Sequence, residues 1–214
     1  MGVKLELRVF ELLASRVCHD LIGPISAVGN GLELLEDADK EMADDALQLS
    51  VNCVRRASAL LEFFRMAYGA AGADAGLRWD AAKTLAEGLL AGGKISLAWG
   101  AAPATPALPP GAAKLALNLV MLATDSLPRG GQIGIALEPG AARLTIVASA
   151  SGRDVRITEE VAAIIAAGPE GAGALTAKSV HAFFTARLVE SLRGRLDTAV
   201  QPGAVRLAAT LPLA

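Results

Sequence analysis

From about Leu5 to Glu36, apolar residues recur at gaps of three and four: Leu7, Phe10, Leu13 and Val17, then Leu21, Pro24 and Val28. That spacing predicts an amphipathic helix with a bundle-like seam. Pro24 inside the pattern removes a backbone donor, and Gly23, Gly29 and Gly31 lower helix propensity, so a bend or soft turn is expected below His19. The polar connection Glu36 to Lys40 is short enough to make the next helix an antiparallel neighbour. That helix is expected over Lys40 to Tyr68. Leu47, Val54, Leu61 and Tyr68 step by seven, with Ser50, Ala57 and Phe64 between them, a heptad-like seam. A lone hairpin buries two apolar stripes poorly, so a second copy is expected to complete a dimeric four-helix bundle.

Gly69 to Gly76 (Gly-Ala-Ala-Gly-Ala-Asp-Ala-Gly) is a small-residue linker and separates a hairpin domain, residues 1–70, from a second domain, residues 77–214. Asp80 to Leu90 reads as a helix with Asp80 as N-cap, Ile95 to Trp99 as a strand and Ala101 to Gly111 as a Pro-rich loop. Ala112 to Leu127 is helical. Gln132 to Glu138 and Arg143 to Ala150 read as strands joined by Pro139-Gly140. Helices over Thr158 to Ala167 and Leu175 to Arg193 precede a second hairpin, Arg195 to Val200 and Val205 to Leu211. The fold class is α+β: an antiparallel or mixed sheet with helices on one face, preceded by the helical hairpin.

Composition narrows the function. Among 214 residues the formal net charge is −2, so no basic field argues for nucleic acid as partner. The charge-free stretch Ile95 to Ala113 contains four prolines and two glycines and makes a poor membrane span. Met1 to Phe10 lacks the apolar run of a signal peptide, and the expectation is a cytoplasmic protein. Cys18 and Cys53 give neither a disulfide framework nor a metal-ligand spacing. Cys18 is expected to be a buried, inert thiol.

The sharpest local pattern is Ser15-Arg16-Val17-Cys18-His19-Asp20-Leu21-Ile22-Gly23-Pro24. Neutral imidazole is a good nucleophile near pH 7 and can accept and return a group. Asp20 beside His19 can orient the ring or take up its second proton. Leu12, Ser15, Arg16, Ile22, Gly23 and Ser26 share the helix surface around His19 and form a candidate partner-binding face. Gly23 leaves space for another protein, and Arg16 is either a cation for phosphoryl oxygens or ordinary helix surface. His181, without an adjacent acid or a following proline, reads as a packing or surface residue. Arg55-Arg56 reads as a docking pair or a solvated face, and Trp79 and Trp99 as anchors of the second core.

The histidine, the acid, three residues and the proline resemble the phosphoacceptor helix of two-component histidine kinases. Leu117 to Gly131 looks like the kinase N-box helix and the turn after it, and Leu188 to Leu196 with Leu211-Pro212-Leu213 looks like the end of the same ATP-binding fold. The second domain therefore resembles a histidine-kinase ATPase domain, an α/β sandwich. It is a degenerate one. The asparagine expected to hold Mg²⁺ aligns with Leu122, which cannot ligate a hard cation. Ser149-Ala150-Ser151-Gly152-Arg153-Asp154 lacks the adenine-reading aspartate and its glycines, and Gly171-Ala172-Gly173-Ala174 keeps only a remnant of the phosphate loop.

A kinase-shaped dimer with an acceptor histidine and no competent ATP site resembles the ChpT-type histidine phosphotransferases of alphaproteobacterial phosphorelays. Ser15 to Pro24 followed by Gly29-Asn30-Gly31-Leu32-Glu33-Leu34-Leu35 is similar to their first helix. The resemblance implies that His19 takes a phosphoryl group from a receiver domain of a hybrid histidine kinase and passes it to response regulators. It implies no cofactor on this chain, with Mg²⁺ in the receiver, and no ATP. An ATP-dependent autophosphorylating kinase and a non-catalytic kinase-binding adaptor are the alternatives.

Overall fold

The computed structural model describes residues 7–35, 39–70, 76–103, 108–168 and 175–213. Helices α1 (Leu7–Glu33) and α2 (Lys40–Ala67) pack against each other as a hairpin. Asp39 caps α2, its carboxylate accepting from the Met42 amide at 3.0 Å. A side chain at buried Gly31 would collide with the Ser50 hydroxyl, so the two backbones approach closely there. Of the bend or soft turn expected below His19, no turn forms: α1 runs unbroken through Pro24. Val9 and Leu12 lie in the core before the proline, and Gly31 meets α2 after it, so tertiary contact holds the helix across the weak point.

The apolar seams distribute differently from the spacing alone. On α1, Val9 and Leu12 are buried and Leu13, Val17 and Leu21 pack half-buried against the core, while Leu7 and Phe10 are exposed. On α2, Leu60, Phe63 and Phe64 are buried, but Leu47, Val54 and Leu61 are each about half exposed. Three positions of the heptad stripe, Leu47, Val54 and Leu61, therefore face solvent, whereas Ser50 and Phe64 of the same seam are buried.

Beyond the hairpin come α3 (Trp79–Leu90), β1 (Ile95–Trp99), α4 (Ala112–Asp125), β2 (Gly131–Pro139), β3 (Arg143–Gly152), α5 (Glu159–Ala167), α6 (Val180–Ser191), β4 (Arg195–Gln201) and β5 (Ala204–Pro212). The sheet order is β1-β2-β3-β5-β4, with β1 and β2 parallel and every other pair antiparallel. Alternate residues Ile133, Ile135, Ile146, Ala148, Leu207 and Ala209 are buried against helices, while Glu138 and Arg206 pair on the open face at 2.9 Å. Helices thus cover one face, as the sequence indicates. The central helix α4 is buried from Ala112 to Ala123, which explains its almost unbroken apolar run.

Two boundaries move. Arg78, not Asp80, occupies the N-cap of α3, and Asp80 sits in the first turn, where a negative charge also favours the helix end. Residues 175–179 form a loop and turn ahead of α6, in which the Thr176 amide donates to the Ser179 hydroxyl at 3.1 Å. Trp79 and Trp99 pack with ring centroids 4.8 Å apart, and the Trp79 indole donates to the Gly100 carbonyl at 2.8 Å. One hydrophobic cluster runs from Val9 and Leu12 through Phe63 and Phe64 into α3, α4 and the sheet. The base of the hairpin is therefore packed into the sheet region. The phosphate-loop remnant Gly171-Ala172-Gly173-Ala174, most of the linker and part of the Pro-rich loop lie outside the described residues.

Candidate functional site

His19 stands on the exposed side of α1, its side chain 87 % accessible. Its Nδ1 lies 3.1 Å from Asp20 Oδ1. A carboxylate oxygen only accepts, so this contact places the ring proton on Nδ1 and leaves the Nε2 lone pair directed away from the acid. The imidazole is thereby in the tautomer that a nucleophile at Nε2 requires. Asp20 is half-buried at the foot of the ring.

Arg16, one turn earlier, is not a free cation. Its Nη2 reaches both carboxylate oxygens of Asp125, at 2.7 and 2.8 Å, tying α1 to the C-terminal end of α4. Burial alone would lower the Arg16 pKa, but the Asp125 charge and hydrogen bonds more than offset it, and the net shift is upward. Arg56 of α2 is likewise engaged: it donates to the Gly88 carbonyl at 3.2 Å and to the Leu89 carbonyl at the end of α3. Arg55 is exposed.

The second histidine is fully buried in α6. His181 Nε2 lies 3.0 Å from the Asn118 carbonyl and Nδ1 lies 3.0 Å from the Tyr68 hydroxyl. The carbonyl accepts, so Nε2 carries the proton and the tyrosine donates to Nδ1. Burial, reinforced by the Arg16 charge, pushes the His181 pKa down to about 4. Burial also raises the Tyr68 pKa, against the pull of Arg16. Both groups are neutral at pH 7 and link α2, α4 and α6.

A cavity of about 650 Å³ opens between α1 and the sheet region, with His19, Ser15 and Asp20 on one wall. Leu122, Pro128, Ile157 and Val161 add an apolar lining, and Arg156 and Lys178 line the same cavity. Both cations are exposed and have no hydrogen-bond or ion-pair partner among the described residues. The Arg156 amide donates to the Ser126 carbonyl at 3.1 Å and Thr158 caps α5, so the loop that bears Arg156 is held at both ends. The cavity is therefore lined by an exposed imidazole, two unpaired cations and a partly apolar surface.

The structure brings His19, Asp20, Ser15 and Arg16 together along this gap. Ile22, Gly23 and Ser26 are exposed further along α1, and a side chain at Gly23 would meet nothing within 4 Å. Leu12 does not belong to that face: it is buried in the core, so the accessible surface begins at Ser15. Cys18 is exposed, contrary to the buried thiol expected from its residue type. Sequence reasoning missed Asp125, Arg156 and Lys178. Asp125 lies in the stretch matched to the N-box, and nothing in its neighbours signals a partner 109 positions away.

Comparison with known proteins follows the same lines. Residues 79–204 match the family model described as histidine phosphotransferase C-terminal domain. The chain is 36 % identical over 182 residues to protein phosphotransferase ChpT of Brucella abortus (strain 2308), covering 84 % of each chain. A solved structure described as a bacterial phosphotransferase superposes with a TM-score of 0.78 at 32 % identity, covering 97 % of this chain and 98 % of that one.

Proposed function

Because the chain belongs to the histidine phosphotransferase family, we propose that it relays phosphoryl groups on His19 between receiver-domain aspartates. The observation that carries this reading is the state of the His19 ring, open to solvent with Nδ1 occupied by Asp20 and Nε2 free. In the transfer, Nε2 attacks phosphorus in line. The P–N bond forms as the P–O bond to the receiver carboxylate breaks, and the electron pair returns to that carboxylate. Asp20 stabilises the positive charge that develops on the ring and is placed to take its Nδ1 proton. The second aspartate reverses the step. Mg²⁺, held by the receiver's own acidic pocket, would neutralise the phosphoryl oxygens.

The cations Arg156 and Lys178, which line the same cavity as His19, suit an acidic visitor, since charge of one sign beside a docking gap speeds encounter and fixes orientation. The response regulators and the receiver of a hybrid kinase are such visitors. ATP has poor accommodation here, because Leu122 lines the cavity where a metal-holding asparagine would be needed. The solvent-facing stripe of Leu47, Val54 and Leu61 supports a homodimer closed through α2 into a four-helix bundle. Val54→Glu with Leu61→Glu is expected to shift the sedimenting mass from dimer to monomer; a dimer that survives both charges rules out this face.

The direct test is incubation with an isotopically phosphorylated receiver domain, followed by addition of an unlabelled second receiver. The label is expected on this chain first, stable in base and labile in acid as a phosphoramidate, and then on the second receiver. A chain that never becomes labelled is an adaptor. A chain labelled by ATP alone is a kinase.

A further inference from the structure

Asp20 is in electrostatic reach of two arginines, Arg16 and Arg56, yet it hydrogen-bonds neither and holds His19 instead. Arg16 stands four residues before Asp20 on α1, the spacing at which opposite charges on one helix pair across a turn. Nothing in α1 itself prevents that pair. What prevents it comes from the sheet region. Asp125 at the end of α4 takes the Arg16 guanidinium with both oxygens, and the terminal carbonyls of α3 take Arg56. The Arg16 side chain is only 14 % exposed in this arrangement and is committed to Asp125. Arg16, Asp20 and Asp125 all line both the cavity beneath His19 and a second one of about 400 Å³ on the other side, forming the wall between them.

We propose that Asp125 is a positioning residue for the phosphoacceptor: by occupying Arg16 it keeps the Asp20 carboxylate on Nδ1 of His19. This rests on the reading of His19 as acceptor and gives the sheet region a part in the transfer that needs no nucleotide. Without Asp125, Arg16 turns to its helical neighbour and draws Asp20 away from the imidazole. The ring then loses its fixed tautomer and the stabilisation of its developing charge.

The test follows the ¹⁵Nδ1 resonance of His19 in the full chain, with Asp20→Asn as the reference for a lost carboxylate. Asp125→Ala is expected to move the resonance toward that reference and to slow phosphotransfer about three- to tenfold. Adding Arg16→Ala is expected to return the resonance and most of the rate, because the competing cation is gone. A purely structural role for the ion pair predicts no return, since the pair is missing from both variants. Asp125→Asn, which keeps the side-chain shape, serves where the alanine variant unfolds. An unmoved resonance in the single variant, or a double variant displaced as far as the single, overturns the proposal. If the resonances behave as expected while Asp20→Asn transfers at the wild-type rate, the role of Asp20 in chemistry fails and the positioning by Asp125 stands.

Discussion

The two histidines of this chain are the same side chain in opposite surroundings. His19 stands in solvent on α1 with an acid on Nδ1 and no partner on Nε2 among the described residues; His181 is sealed in α6 with both nitrogens bonded. A nucleophile needs a free lone pair and room for the group it will carry. Only His19 has both. His181 has instead what a buried polar group needs, one donor and one acceptor at 3.0 Å each. Its protonation is suppressed by burial and by the nearby Arg16 charge, which keeps it a hydrogen-bonding strut between α2, α4 and α6. Access and partner count, not residue type, separate the histidine proposed for chemistry from the structural one.

The largest effect expected is at His19: His19→Gln should reduce phosphoryl labelling to background while leaving the thermal unfolding transition in place, read by gel autoradiography and calorimetry. The matching effect at His181 is on stability and depends on pH. Its folded pKa of about 4 lies below the ordinary value near 6.5, so between these values the unfolded chain binds the extra proton. Stability from this group is present above pH 6.5 and is lost as pH falls toward 4, by roughly 3 kcal/mol in all. Denaturant midpoints measured across that window should fall steeply for the wild type and less for His181→Gln. Next comes Asp20→Asn, expected to slow transfer about ten- to a hundredfold with little change in receiver affinity, read by rapid-quench kinetics. The smallest effect is at the two cations of the cavity. Arg156→Glu with Lys178→Glu should weaken receiver binding about three- to tenfold, more at low salt than at high salt, in calorimetric titrations.

Much of this contrast was legible in the sequence. The histidine-acid-proline spacing marked His19, and the absence of such neighbours marked His181 as a packing residue. Both β-hairpins, the central apolar helix and a sheet with helices on one face followed from alternation and turn residues, because those signals are local; alternation leaves the parallel pairing of β1 with β2 open. Failures arose where distant packing decides. Pro24 does not interrupt α1 because contacts on either side hold the helix. Leu12 shares a helical surface with His19 in projection, yet it is buried in the common core. Asp125, Tyr68 and Lys178 meet the site or its supports only after the hairpin and the sheet region share one core. No periodicity along the chain records that contact.

The most direct measurement is peptide mapping by mass spectrometry of the wild type, His19→Gln and His181→Gln after one exposure to a phosphorylated receiver. The account predicts a phosphohistidine in the peptide carrying His19 for the wild type and His181→Gln, and none in His19→Gln. A phosphoryl group on any other peptide, or one that persists in His19→Gln, contradicts it.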